Sequence, residues 1–253
     1  MFFFKPIPEK KLVVVVPSYN NAQWYKHNLD SIFNQNYTNY RIIYLDDHSS
    51  DNTAHLVEQY IYEKHQQQRV TLIKNETRQG ATANRYKGSH LCENNEIILI
   101  LDGDDWFAHD NVLKKINKVY SKYDIWVTYG QYKRFPSNKK GHCKKLPQDF
   151  DFRASTCYYT SALRTYYAWL FKKIPKNDLQ HQGEFFQIAG DVAEMLPMVE
   201  MARGHIRFIR EVLYIYNNQT PLNDFKNNYQ EQLDIAQVIR SKPQYPKITN
   251  HEL

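Results

Sequence analysis

The sequence has no long apolar run. A membrane-spanning helix needs ~18 consecutive apolar residues, and nothing in these 253 residues approaches that. The N-terminal MFFF stops at Lys5 and Pro6. That is too short for the apolar core of a signal peptide and reads as a frayed arm. The expectation is a soluble chain with no transmembrane segment, at most peripheral to a membrane. Cysteine is scarce: Cys92, Cys143 and Cys157 are scattered and odd in number. This argues against a disulfide framework and for the cytoplasm or another reducing compartment. No C-x-x-C or H-x-x-x-H spacing suggests zinc. Glycine, at 8 residues, spells neither the G-x-G-x-x-G of a dinucleotide site nor the G-x-x-x-x-G-K-[ST] of a P-loop. The formal net charge is +6 with a pI near 9.0, and much of the excess lies in KRFPSNKKGHCKK, residues 133–145. No helix-turn-helix, zinc-finger or RNP-type aromatic pattern accompanies it, so no nucleic acid partner is expected. A phosphorylated small molecule or plain solvation suits that segment.

What the chain does have is alternation. LVVVV (12–16) is a continuous β-branched run, the mark of a strand covered on both faces. Pro17 is expected to turn the chain there, and Asn20 to cap a helix carrying Trp24, Leu29, Ile32 and Phe33. RIIYL (41–45) is the next strand, followed by the turn-rich DDHSSDNT and a helical stripe of Ala54, Val57, Tyr60 and Ile61. VTLI (70–73), a helix over 80–92, EIILIL (96–101), a helix carrying Val112, Leu113, Ile116, Val119 and Tyr120, and IWVTYG (125–130) continue the pattern. Strands alternating with helices predict an α/β fold with parallel pairing. Ligands in such sheets sit at the carboxyl ends of the strands. The second half reads differently: the basic loop, an aromatic segment (155–174), a helix over 190–202, strands at 205–209 and LYIY, and a helix over 223–240. The aromatics Tyr158, Tyr159, Tyr166, Tyr167 and Trp169 suit either core packing or stacking on a sugar.

Polar and acidic groups fall at three of these strand ends. PSYN (17–20) follows the first strand, Asp46 and Asp47 the second, and Asp102, Asp104 and Asp105 the oily run EIILIL. Clustered carboxylates raise one another's pKa and cost desolvation unless a cation joins them. The last cluster is therefore either a solvated loop or a metal site. An EF-hand starting at Asp102 fails, since Trp106 and Phe107 take ligand and glycine positions. Asp-x-Asp suits a hard divalent cation, Mn²⁺ or Mg²⁺, that shares phosphate oxygens with a substrate. A metal-dependent phosphatase is the more distant reading of the same pair.

The blocks VVVVPSYN, YLDDHSSDNT and ILILDGDDW, in that order and strand context, resemble the inverting glycosyltransferase family 2. The resemblance covers residues 11–130 closely and 160–220 loosely. It implies the GT-A fold, a Rossmann-like, mostly parallel central sheet flanked by helices with a smaller acceptor-side half. It also implies one domain over 1–253, with 11–130 holding the nucleotide-sugar and 131–253 the acceptor. The implied activity is metal-dependent transfer from a nucleotide-sugar, UDP-linked, to an acceptor hydroxyl of a glycan, protein or small molecule. A binding protein of the same fold that turns nothing over is the alternative.

By that resemblance Pro17, Ser18, Tyr19 and Asn20 line the nucleotide pocket, and Asp47 with Asp46 beside it faces the uracil edge or its ribose. Asp102 contacts ribose, and Asp104 binds the metal with Asp102 and Asp105 nearby. Arg78 or Arg85, in RQGATANRYKG, contacts base or phosphates; Tyr86 stands there where the family has Asn. Asp46 and Asp47 also suit plain turn and cap roles, and either arginine a surface role. Many GT-A enzymes offer a later histidine to the metal, and this chain has Asn217 and Asn218 instead. The family's catalytic base is the Asp of a Glu-Asp pair that starts a helix. Asp191 fits, but Gly190 replaces the Glu. A helix start favours negative charge, which also makes Asp191 an ordinary first-turn residue. Glu184 and Glu194 are the substitutes.

Overall fold

A computed structural model describes residues 7–147, 149–155, 158–220 and 229–249. The first half alternates as expected: β1 (Leu12–Ser18), α1 (Tyr25–Phe33), β2 (Tyr40–Asp46), α2 (Thr53–Glu63), β3 (Val70–Lys74), α3 (Ala81–His90) and β4 (Ile97–Ile100). A two-residue strand, β5 (Trp106–Phe107), precedes α4 (Val112–Lys122) and β6 (Val127–Phe135). The rest comprises β7 (Arg164–Tyr167), α5 (Ala168–Phe171), β8 (Gln180–His181), β9 (Glu184–Phe185), α6 (Gly190–Met201), β10 (Ile206–Asn217) and a last helix, Tyr229–Ser241. Residues 1–6 of the expected frayed N-terminal arm and 223–228 of the expected last helix lie outside the described residues, as does Cys157.

One eight-stranded sheet runs in the order β3-β2-β1-β4-β7-β6-β10-β5. Neighbours β3-β2, β2-β1, β1-β4 and β6-β10 are parallel. Strand β7 is antiparallel to both β4 and β6, and β5 is antiparallel to β10. The α/β expectation of a mostly parallel sheet flanked by helices holds. The reversed β7 follows from its approach. A parallel neighbour needs a crossover, usually helical, and the described residues between β6 and β7 contain no helix. All seven residues of β1 are buried, because helices cover both faces of a parallel sheet. Helix α3 packs closely on β1 through Gly88, where a Cβ would stand 2.6 Å from Val15 Cγ1.

Three local expectations change, the first being that the separate strands expected at 205–209 and LYIY are one, β10. The first strand continues through Pro17 to Ser18, with Pro17 opposite Leu45 of β2. Gly103 N–H donates to the Pro17 carbonyl at 2.9 Å, so the missing Pro17 N–H faces the β4 side, where the ladder has already ended at Ile100. A proline is tolerated at the end of a ladder. Asn20 does not cap α1: Trp24 holds that position. With φ of 53°, Asn20 turns instead toward the β2–α2 loop, where its Oδ1 accepts from Ser50 N at 2.8 Å. No helix among the described residues is long and apolar enough to cross a membrane. Cys92 and Cys143 are free thiols, both buried.

Candidate active site

The strand order sets β2, β1 and β4 side by side, so their carboxyl ends form one continuous rim. At the end of β2, Asp46 and Asp47 part company. Asp47 accepts from Asn75 Nδ2 (2.9 Å), Gln79 N (2.8 Å) and Gly80 N (2.8 Å). Burial alone would raise its pKa, but these bonds outweigh it and hold the carboxyl below its usual value. Asp47 thereby clamps the β3–α3 loop. Asp46 is equally buried, yet only one oxygen is used: Oδ2 accepts from Ser49 N at 3.1 Å, while Oδ1 has no partner. A buried unpaired acceptor costs ~1–3 kcal/mol, so Asp46 is the less satisfied member of the pair. Around them, Ser18 Oγ accepts from Tyr44 OH at 2.8 Å, and the Arg78 guanidinium lies 4.1 Å over the Tyr19 ring.

The acidic loop is pinned to the same rim. A Cβ on Gly103 would stand 2.6 Å from Ser18 Cβ, so only glycine permits that approach. Asn28 Nδ2 donates to the carbonyls of Asp102 (3.0 Å) and Asp105 (2.7 Å). The three carboxylates are not equivalent. Asp105 is 1% exposed and accepts from Tyr214 OH (2.5 Å) and Asn217 N (2.7 Å). Burial first, then Asp104 and Asp102, push its carboxyl well above the usual range. Its two oxygens brace β10 against the loop, whereas Asp102 and Asp104 stay partly open to solvent. Part of the answer to why acids follow so oily a strand is that one of them is an internal strut. Asp105→Ala strands a buried N–H and a buried O–H, each worth ~1–3 kcal/mol. It should lower unfolding free energy by about 2–4 kcal/mol in a urea titration at unchanged m-value. A loss below about 0.5 kcal/mol would show the brace to be unimportant.

Behind this rim runs a chain of alternating charge. Arg85, on α3 and 6% exposed, donates from Nε to Glu194 Oε1 at 2.7 Å, and its Nη1 lies 3.8 Å from Asp102 Oδ1. Arg164 starts β7 opposite Ile100, the last residue of β4. That register puts its Nη2 3.7 Å from Asp102 Oδ2 and its Nη1 3.8 Å from Asp191 Oδ2. Burial works against the Arg164 cation, but Tyr158, Asp102, Asp191 and Glu194 outweigh it and raise its pKa well above the usual value. Asp191 sits in the first turn of α6, with Oδ1 accepting from Val192 N at 2.9 Å and its carbonyl from Tyr158 OH at 3.2 Å.

The glycine before it has a reason: a Cβ at Gly190 would stand 1.9 Å from Thr82 Oγ1 and 2.8 Å from Arg85 Nη2. One helical turn on, Glu194 brings a carboxylate to Arg85 instead. Glu194 is 1% exposed; burial pushes its carboxyl up and Arg85 opposes. Glu184, on the β8–β9 hairpin, is exposed and away from these contacts. Asn217 is buried, and its Oδ1 accepts from Gln219 N at 2.9 Å.

Sequence reasoning missed Arg164 altogether. The available signal was a lone arginine inside the aromatic stretch ALRTYYAWLF, where a charged side chain must find partners or stay outside.

The chain matches the sequence model of Glycosyl transferase family 2 over residues 13–179. It belongs to glycosyl transferase family 2. Among curated relatives, it is 30% identical over 126 residues to the Escherichia coli UDP-Glc:alpha-D-GlcNAc-diphosphoundecaprenol beta-1,3-glucosyltransferase WfgD, covering 49% of this chain and 47% of that protein. It is 29% identical over 119 residues to Streptococcus pneumoniae glycosyltransferase GlyG, covering 47% and 38%. The chain thus spans less than half the length of these relatives. In three dimensions it is similar to S. aureus TarS 1-349 in complex with UDP-GlcNAc, at TM-score 0.66 and 20% identity over 90% of this chain and 65% of that one. It is also similar to the mannosyltransferase PcManGT of Pyrobaculum calidifontis in complex with GDP-Man and Mn²⁺, at TM-score 0.63 and 18% identity over 94% and 66%. At those identities the likeness establishes the family 2 chain's fold, GT-A.

Proposed function

We propose that this family 2 chain transfers a sugar from a nucleotide-sugar, UDP-linked, to an acceptor hydroxyl with inversion, using a divalent cation. One observation carries the reading: Asp46 ends β2 and Asp102 and Asp104 follow β4, the two strands that flank β1 on one rim, and Asp191 stands across Arg164 from Asp102. Residues 11–130 form the donor half, and 131–253, which includes Asp191, the acceptor half. Asp47, with Asp46 beside it, faces the uracil edge, and Asp102 accepts a ribose hydroxyl. Asp191 takes the proton of the attacking acceptor hydroxyl as its oxygen bonds to the anomeric carbon. The bond to the diphosphate breaks on the opposite face, so a single displacement inverts the centre.

The donor atoms available suit a hard cation. Asp102 and Asp104 supply carboxylate oxygens from one loop. Among the described residues no group of three or more His, Cys, Asp or Glu side chains is arranged to hold an ion, so the diphosphate has to supply further oxygens. Mn²⁺ or Mg²⁺ bound there would neutralise charge on the leaving diphosphate. With Asp105 already committed to Tyr214 and Asn217, Asp104 and Asp102 are the carboxylates to hold it.

The two structural neighbours hold different nucleotides, one UDP-GlcNAc and the other GDP-Man. The test is therefore a panel of UDP- and GDP-sugars with and without Mn²⁺, reading released nucleoside diphosphate. Slow release from one UDP-sugar, dependent on Mn²⁺, is expected. Phosphate freed from simple phosphomonoesters, with every nucleotide-sugar left intact, contradicts the proposal and favours the phosphatase.

A further inference from the structure

Strand β7 opens with a side chain that none of these steps employs. Arg164 is 5% exposed, and its Nε and Nη1 have no hydrogen-bond partner. A guanidinium carries five N–H donors and keeps its charge. Leaving buried donors unpaired is costly, so the arrangement needs an explanation.

Both orphaned nitrogens are closed off from solvent, which argues against direct contact with a ligand. What stands beside the guanidinium is a pair of carboxylates. Nη1 is 3.8 Å from Asp191 Oδ2, and Nη2 is 3.7 Å from Asp102 Oδ2. These are ion-pair separations, and a movement of about 1 Å by either carboxylate would make them hydrogen bonds. The carboxylates have the freedom to move: their side chains are 33% (Asp102) and 31% (Asp191) exposed, against 6% for the arginine. The arginine does not, being held in the sheet opposite Ile100. A planar fork can address two carboxylates at once in fixed geometry, which an ammonium on a flexible stem cannot.

We propose that Arg164 is a positioning residue for the transfer step, holding the Asp191 carboxylate toward the acceptor hydroxyl and tying that orientation to Asp102 on the donor side. The proposal rests on the glycosyl-transfer reading above. It makes the two halves of the site one unit, since the donor-side carboxylate and the base share one cation.

The test compares the parent with Arg164→Met, Arg164→Lys, Asp191→Asn and the double variant Arg164→Met/Asp191→Asn, on a donor that the parent turns over. Arg164→Met should leave UDP affinity and donor KM within about 3-fold of the parent, while kcat falls ~10- to 100-fold, the scale of a base misplaced by about 1 Å. Arg164→Lys should recover part of kcat. In the Asp191→Asn background, Arg164→Met should cost less than about 3-fold more, because residues that act through one another are not additive. A merely structural arginine would cost the same in both backgrounds, and that result overturns the proposal. So does a folded Arg164→Met with kcat within about 3-fold of the parent. Should Arg164→Met fail to fold, Arg164→Lys keeps the charge without the fork and carries the same two-background comparison. A parent that binds neither UDP nor GDP and turns over no donor defeats the glycosyl-transfer reading itself. An active parent with an insensitive Arg164 variant defeats only the positioning role.

Discussion

Asp191→Asn should keep UDP-sugar affinity near the parent value and cut transfer by ~10²-fold or more, the usual scale for losing a general base. The amide keeps the size of the carboxylate and can still accept from Val192 N as Asp191 Oδ1 does, so α6 should start as before. What goes is the group proposed to take the acceptor's proton. Among the described residues of the second half, Asp191 is the one carboxylate both partly open and within the Arg164 cluster. Glu194 is sealed against Arg85 and Glu184 lies on a separate hairpin. Steady-state kinetics with saturating donor is the check. Transfer within a few-fold of the parent would remove Asp191 as the base and move attention to Glu194.

Asp104→Asn should weaken Mn²⁺-dependent UDP binding by ~10²-fold or more while leaving the unfolding midpoint of the free protein unchanged or slightly raised. Substitutions even in the outer shell of a metal site cost 10–100-fold, and a ligand should cost at least that. The fold should survive because the loop hangs on Gly103, Asn28 and Asp105 and the amide keeps the size of the carboxylate. Calorimetric titration of UDP with Mn²⁺ present reads the first effect and thermal unfolding the second. Unaltered UDP affinity in the variant would take the cation away from Asp104.

The contrast between Asp104 and Asp105 marks how far the sequence could be read. The β-branched run at 12–16, the alternation through residue 130 and the acids at strand ends are local patterns, and hydrophobic periodicity reports them directly. They gave the parallel core, the rim and its carboxylates. The division of labour on that rim was not legible. Asp105 is a strut because Asn217, 112 residues away, donates to it, and Asp47 is a clamp because Asn75, Gln79 and Gly80 come to it. Adjacent aspartates look alike until their distant partners are known. Strand β7 was hidden in an aromatic stretch that reads as core, and its direction depends on how the chain returns from the basic loop. With β7 went Arg164. Gly190 read as a departure from the family's Glu-Asp pair, and only its closeness to Thr82 and Arg85 shows why no larger residue fits.

The central claim is that this rim binds a nucleotide diphosphate together with a divalent cation, and thermal unfolding with UDP is its most direct test. A ligand that binds only the folded state stabilises it by RT ln(1 + [L]/Kd), about 2.7 kcal/mol at one hundred times Kd. The account predicts a midpoint that rises steadily with UDP concentration when Mn²⁺ is present and much less when it is chelated. A midpoint unmoved by UDP and by GDP at millimolar concentration, with Mn²⁺ present, would contradict it.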